Sequence, residues 1–147
     1  MRLIRKFMYL SRSDRHFFIK TFCLLAVITL GLHLLQFHHL LKLLTKISQR
    51  SNQRQITATV SISKILWAIN TATQYIPHAK CLARALTTQV LMTRYGHSAK
   101  LRIGVVKQQT GKLQAHAWIE HQGIVVMGNL HELSRYIPLP SLSGVKI

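Results

Sequence analysis

A cysteine and a histidine in the second half of the chain have the local settings of a nucleophile and its base. Cys81 opens the helix-like run of residues 80–86, and His116 lies within the strand-like run of residues 114–120. Unpaired backbone N–H groups and the positive end of the helix dipole favour a thiolate at a helix start. A histidine on a neighbouring strand can take the thiol proton and later return it to a leaving amine. The pair therefore predicts covalent catalysis by a thiol.

A third polar group is expected to orient the histidine and to hold it in one tautomer. The acidic residues of the chain are Asp14, Glu120 and Glu132. Glu120 lies four strand positions from His116, which is about 13 Å along an extended chain. Asn129 directly follows the strand-like residues 125–128, and an amide oxygen can accept from the imidazole as in Cys-His-Asn proteases. The sequence favours Asn129 over Glu132 for this role, and a simple turn residue after a glycine is the alternative interpretation of Asn129.

The remaining candidate groups predict neither a metal site nor a cofactor. Cys23 lies in an apolar run, where a free cysteine behaves as a small hydrophobic residue, so we expect a structural role. Two cysteines without metal-ligand spacing make neither a disulfide framework nor a zinc site, and no glycine-rich phosphate loop is present. Gln74 and His78 are weaker candidates for an oxyanion hole. A metal site is not predicted at His33, His38 and His39, because no cysteine or carboxylate lies near them in the sequence.

Composition predicts a basic, single-domain protein of residues 1–147. Twenty Lys and Arg against three Asp and Glu give a formal net charge of +17. Such a charge favours anionic partners, which are nucleic acids, lipid headgroups or acidic peptides. The basic residues are spread along the chain and no zinc-finger or RNA-binding signature accompanies them, so nucleic-acid binding is not predicted. A reactive cysteine fits the reducing cytoplasm.

The periodicity of apolar residues divides the chain into two regions. Residues 1–59 form a leucine-rich helical region and a basic linker, the linker beginning near residue 47. Polar residues return after residue 32, so the apolar run is shorter than the roughly 20 residues that a bilayer needs. We therefore expect packed or interfacial helices there rather than a membrane span.

Residues 60–147 are predicted to form an α+β core. A helix over residues 60–75 precedes a helix from Cys81 to about Tyr95, which Gly96 ends as a C-terminal cap. The period then changes to two, which predicts strands over residues 100–106, 113–121 and 124–127 with turns between them. The sequence thus predicts helices followed by a small antiparallel sheet, with Cys81 at a helix start.

The order of cysteine on a helix and histidine on a strand is that of the papain and transglutaminase families. More closely, the chain resembles the stand-alone transglutaminase-like leader peptidases of lasso-peptide biosynthesis. The residues that carry this resemblance are Pro77, Cys81, Leu82, Arg84–Leu86, Tyr95–Gly96, residues 101–105, residues 115–120, residues 128–130 and residues 135–139.

The resemblance implies a cysteine peptidase that removes the leader from a ribosomally made precursor peptide. Cys81 would be the nucleophile, His116 the base, and Asn129 would stand where the family usually has aspartate. An asparagine keeps the acceptor but lacks the charge that stabilises an imidazolium. The implied partners are the precursor with its leader, a separate leader-recognition protein and a macrolactam cyclase. No cofactor and no nucleic acid are implied.

Two other function classes stay open on the residues alone. One is an acyltransferase, since a thioester intermediate can pass to an amine instead of water. The other is a non-catalytic, basic binding protein at the periphery of the inner membrane, which the net charge and the leucine-rich helix favour. Selective alkylation of Cys81 over Cys23 would distinguish the catalytic classes from the binding protein.

Overall fold

A computed structural model describes residue 5, residues 8–51 and residues 60–138 of the protein. In this part of the chain, helices come first and a small sheet follows. The helices are α1 (Arg12–Leu34), α2 (Phe37–Ser51), α3 (Ile62–Thr73) and α4 (Cys81–Arg94). The predicted α+β class is therefore confirmed, and the predicted start of a helix at Cys81 agrees with the structure.

Two of the helices begin with serine caps, and a salt bridge joins their first turns. The Ser11 hydroxyl accepts from the Asp14 N–H at 3.1 Å, and the Ser61 hydroxyl accepts from the Lys64 N–H at 3.3 Å. The Asp14 carboxylate also forms a salt bridge with the Lys64 ammonium, which joins the first turn of α1 to that of α3. Hydrogen bonds from Lys64 and then Ser11 lower the pKa of Asp14.

The strands form an antiparallel sheet in the order β3-β2-β1-β4. Their bounds are β1 (Lys100–Lys107), β2 (Leu113–His121), β3 (Ile124–Met127) and β4 (Ile137–Pro138). The predicted second and third strands match the structure residue for residue, and β1 extends one residue further. The sequence did not predict β4, because two residues containing a proline carry no alternating pattern. In the register of β1 and β2, Gly104 lies opposite His116.

Helix α4 lies at the centre of the fold, between the sheet and the other helices. It packs chiefly against β2 on one side, while α1 and α3 contact it on the other. A single core joins helix and sheet side chains, including Ile28, Ile69, Leu86, Leu101 and Ile119. Between Ala83 and Met92, α4 is buried almost throughout, so its orientation against β2 is fixed by packing.

The N-terminal region differs from the sequence prediction in the extent of its second helix. Helix α2 continues to Ser51, beyond the predicted start of the linker near residue 47, and residues 52–59 lie outside the described part. Helix α1 has 23 residues and is the one described helix that could cross a membrane by length and composition. Core helices of soluble proteins pass the same test, and 28% of the most apolar window of α1 is buried within the protein.

Replacing Leu25 with alanine tests whether α1 is an integral part of the core. Leu25 is fully buried, so Leu25→Ala should lower the free energy of unfolding by about 2–5 kcal/mol, through lost burial and a cavity. Val27, on the same helix, is 62% exposed, so Val27→Ala should change it by less than about 0.5 kcal/mol. Urea denaturation measures both. Equal effects at the two positions would contradict the packing of α1 against α3 and α4.

Candidate active site

Cys81 is the first residue of α4, and its side chain is half-buried. The preceding residue, Lys80, has extended backbone and supplies no side-chain cap. Helices α1 and α3, in contrast, begin with serine caps. Because no side-chain cap is formed at the start of α4, its first N–H groups are not satisfied by the capping residue, and such groups favour a nearby negative charge. The local arrangement therefore suits a cysteine nucleophile.

His116 lies in β2 and is half-buried. Its Nε2 lies 2.7 Å from the backbone carbonyl oxygen of Gly128. A carbonyl oxygen can only accept, so Nε2 is the donor and carries the proton of the neutral ring. Nδ1 therefore keeps its lone pair and is the ring nitrogen available as a base.

Aromatic side chains hold the His116 ring from two directions. The Trp118 ring stacks with it at 6.3 Å between centroids and 17° between planes, and the Tyr136 ring lies at 5.7 Å. Trp118 donates from Nε1 to Glu120 at 3.0 Å, and the same carboxylate accepts from Arg102 Nε at 3.3 Å. Glu120 thus acts on His116 through the position of Trp118, a role that the sequence did not predict.

Cys81 and His116 lie at the same end of the helix–sheet layer. The first turn of α4 contacts the end of β3, where Arg84 Nη2 donates to Met127 Sδ at 3.5 Å. The next residue, Gly128, binds the His116 ring. Side chains that alternate with His116 along β2 belong to the core shared with α4, so the imidazole lies on the other face of the strand. No hydrogen bond joins Cys81 to His116, both of which the structure describes.

Arg84 links three elements next to Cys81, a contact that sequence reasoning did not identify. Its Nη2 also donates to Asn70 Oδ1 at 2.7 Å, so one guanidinium joins α3, α4 and the end of β3. Its Nε is buried and has no partner in the described part of the chain. The sequence did contain a signal for this contact, which is a single arginine among the apolar residues of the first turn of α4. A cation in such a position needs acceptors on neighbouring elements.

Asn129 and Glu132, the two candidates for the polar group that orients His116, occupy different positions. The His116 ring is bound by the carbonyl of Gly128, one residue before Asn129, whose side chain is exposed. No hydrogen bond between Asn129 and His116 is found within the described residues, so the role of Asn129 stays a prediction. Glu132 is exposed and its carboxylate accepts from Arg135 Nη1 at 2.7 Å.

The weaker candidates lie around the loop before Cys81 or away from it. His78 is exposed and has a left-handed backbone, with φ of +71°, a conformation that costs a non-glycine residue about 1–3 kcal/mol. Its ring lies 6.3 Å from that of His33 at the end of α1. Gln74 is exposed at the C-terminal cap of α3. Cys23 is exposed on α1, which differs from the structural, core-like role that its apolar setting predicted.

The comparisons with known proteins identify the class. The model of the transglutaminase-like superfamily matches residues 22–141, which is more than half of the chain. The chain therefore belongs to the transglutaminase-like superfamily. Domains of this superfamily generally have a cysteine protease or transglutaminase fold, in agreement with the helices and small antiparallel sheet found here. No curated protein and no solved structure matches the chain.

Replacing Gly128 with alanine tests the contact that orients His116. Gly128 has φ of +83°, and a Cβ there would lie 2.7 Å from the carbonyl oxygen of Ala117. Gly128→Ala should therefore displace its own carbonyl and release the imidazole. Imidazole ¹⁵N chemical shifts should report one Nε2–H tautomer in the parent protein and a mixture of tautomers in the variant.

Gly111→Ala is the matched control for this experiment. Gly111 has nearly the same backbone, with φ of +82°, but a Cβ there meets nothing within 4 Å. Both variants should lose about 1 kcal/mol or more of stability through left-handed strain, whereas the His116 tautomer should change only in Gly128→Ala. An unchanged tautomer in a folded Gly128→Ala protein would contradict the orienting role of this carbonyl.

Proposed function

We propose that this protein is a cysteine peptidase that removes the leader from a ribosomally made lasso-peptide precursor. The observation that carries the proposal is Cys81 at the uncapped start of α4, the helix that packs against the strand of His116. Membership of the superfamily supports thiol-based peptidase or acyltransferase chemistry. The narrower substrate class rests on the resemblance of residues 77–86 and 115–120 to the leader peptidases.

The proposed acylation step begins with transfer of the Cys81 proton to Nδ1 of His116. Because the imidazole lies on the face of β2 away from the core, this transfer requires the two side chains to approach each other around the end of the sheet, where the first turn of α4 contacts the end of β3. The thiolate attacks the carbonyl carbon of the scissile amide, and its electrons move onto the carbonyl oxygen. The uncapped N–H groups at the start of α4 would stabilise that oxyanion. When the intermediate collapses, the C–N bond breaks and the imidazolium gives its proton to the leaving amine. The product of this acylation half-reaction is a thioester between Cys81 and the leader.

Hydrolysis of the thioester completes the cycle. His116 takes a proton from water, and the hydroxide attacks the thioester carbonyl. The C–S bond breaks, the leader leaves with a carboxylate, and Cys81 is restored. An amine in place of water would give an amide, which is the acyltransferase alternative. Supplying a primary amine and searching for an amide-linked leader by mass spectrometry separates these two reactions.

The partners proposed for this reaction follow from the resemblance. They are the precursor peptide, a separate leader-recognition protein and a macrolactam cyclase that acts on the released core peptide. A cytoplasmic location is proposed for the same reason, because precursor and cyclase would have to meet the enzyme there. Reconstitution of cleavage from the purified precursor, with and without the recognition protein, tests the partner set directly.

Comparison of the two cysteines tests the activation of Cys81 without any knowledge of the substrate. Cys23 is exposed and Cys81 is half-buried, so exposure alone predicts faster alkylation of Cys23 by iodoacetamide. If the helix start and His116 activate Cys81, its alkylation at pH 7 should instead be at least about tenfold faster than that of Cys23. Peptide mass spectrometry over time resolves the two sites.

Variants in the two cysteines extend this test to catalysis. Cys81→Ala should abolish leader cleavage while retaining the fold, and Cys23→Ala should leave cleavage nearly unchanged. His116→Ala should slow alkylation of Cys81 at neutral pH, because no base remains to remove the thiol proton. Cleavage by purified Cys81→Ala would rule out the proposed mechanism. Faster labelling of Cys23 than of Cys81 would remove the basis for activation at the start of α4.

Asn129→Ala decides which group orients His116 during turnover. If the Asn129 amide is the acceptor, as the sequence predicts, cleavage should slow by about 10²-fold or more. If the Gly128 carbonyl is sufficient, the loss should be less than about threefold. We expect the smaller loss because His116 Nε2 already has an acceptor at 2.7 Å. Steady-state kinetics measure the difference, and Glu132→Gln, which removes only the exposed ion pair with Arg135, is the control.

A further inference from the structure

Helix α1 is apolar on two opposite faces, and only one of them is buried by the residues that the structure describes. Thr21, Leu25 and Ile28 are fully buried on the inner face. The outer face carries a row of exposed apolar side chains at helical spacing, which we call the α1 stripe. The α1 stripe consists of Ile19, Cys23, Val27, Leu30 and Leu34.

The α1 stripe is unusual for a helix of a soluble protein. Val27, Leu30 and Leu34 are 62%, 58% and 73% exposed. A polar residue at any of these positions would remove little buried apolar area from the core. A helix that is apolar all round is expected to be covered on all sides, and contiguous exposed apolar surface marks an interaction site. Residues 5, 8–51 and 60–138, which the structure describes, leave the stripe exposed, so its occupant has to be sought outside them.

The charge of the protein indicates the kind of occupant. Arg12, His16 and Lys20 are exposed in the first turns of α1, before and beside the stripe. The acidic side chains of the whole chain are each paired in a salt bridge, Asp14 with Lys64, Glu120 with Arg102 and Glu132 with Arg135. The net charge of +17 already includes these three carboxylates, so the excess charge is carried by Lys and Arg side chains. The surface around the stripe thus attracts anions.

We propose that the α1 stripe binds the surface of an anionic lipid bilayer, with α1 lying in the plane of the headgroups. Exposed apolar residues would enter the boundary of the acyl chains while the basic residues meet the lipid phosphates. A second copy of the chain is disfavoured, because it carries the same large positive charge. A nucleic acid would bind the basic residues through its phosphates, but it would leave the aliphatic side chains of the stripe exposed to water.

The structure favours this in-plane arrangement over a membrane span. The part of α1 without Lys, Arg, Asp or Glu is residues 21–34, which is about 21 Å of helix. The hydrocarbon core of a bilayer is about 30 Å thick. A span would bury Lys20 and Arg15 in hydrocarbon, and it would also withdraw Leu25 and Ile28 from the core of the protein.

Vesicle flotation with the full chain tests the proposal. The protein should float with phosphatidylcholine vesicles that contain about 30% phosphatidylglycerol, and not with pure phosphatidylcholine. Binding should fall steeply between about 0.1 M and 1 M salt, because screening removes the electrostatic part. The double variant Val27→Gln/Leu30→Gln should bind the anionic vesicles at least about tenfold more weakly, since it removes apolar area that enters the bilayer.

A matched double variant on the sheet controls for the loss of exposed apolar area in general. Leu113 and Ile124 are 73% and 69% exposed, so Leu113→Gln/Ile124→Gln makes the same chemical change away from α1. This control should bind anionic vesicles within about twofold of the parent protein. Circular dichroism and thermal unfolding establish that both variants are folded.

A spin label on Cys23 gives an independent measurement that needs no substitution of a stripe residue. In a Cys81→Ser background, Cys23 is the sole thiol, and it lies within the α1 stripe. On anionic vesicles the label should become more accessible to oxygen and less accessible to a polar nickel complex. An unchanged accessibility ratio would overturn the proposal.

Three other outcomes would overturn the membrane surface as the occupant. Equal effects of the α1 and sheet variants would show that the stripe is not the contact. Retention on vesicles after carbonate extraction would show a membrane span. A stable dimer that Val27→Gln/Leu30→Gln dissociates, without vesicle binding, would assign the stripe to a second copy. None of these results depends on catalysis at Cys81, so this proposal and the peptidase proposal fail separately.

Discussion

The packing of α4 against β2 is the contact on which the rest of the structure depends. Because α4 is buried along almost its whole length, the position of Cys81 at its start is fixed relative to the sheet. The same contact gives β2 a covered face, and the alternation of side chains then sends His116 to the opposite face. A helix that carried the cysteine on an exposed surface could not hold the thiol at one end of the sheet with comparable precision.

The histidine depends on a second constraint, which is the path of the backbone after β3. Gly128 turns in the left-handed region where it crosses Trp118, and this path brings its carbonyl to His116 Nε2. A backbone acceptor keeps the proton on Nε2 without a carboxylate, which suits a chain with few acids. Trp118, Tyr136 and the carboxylate of Glu120 restrict the ring further. The site is thus held by packing and main-chain geometry more than by charge.

The N-terminal region combines a structural and a surface role in one helix. The inner face of α1 completes the core with α3 and α4, and the salt bridge of Asp14 with Lys64 joins the helix starts. Its outer face adds apolar surface to a protein whose three acidic side chains are each paired in a salt bridge. The proposed association with a membrane surface and the proposed catalysis at Cys81 are compatible, because they use different parts of the protein.

The sequence by itself determined the local elements of this protein, and the tertiary structure decided how their side chains meet. Apolar periodicity, serine caps and turn residues are encoded over a few neighbouring positions, so the α+β class, the start of α4 and the bounds of β2 and β3 were predictable. The contact of His116 with the Gly128 carbonyl was not predictable, because it depends on the path of the backbone over Trp118 and not on a side chain. The two faces of α1 were also indistinguishable in sequence, since both are apolar, and only packing against α3 and α4 separated the buried face from the exposed one.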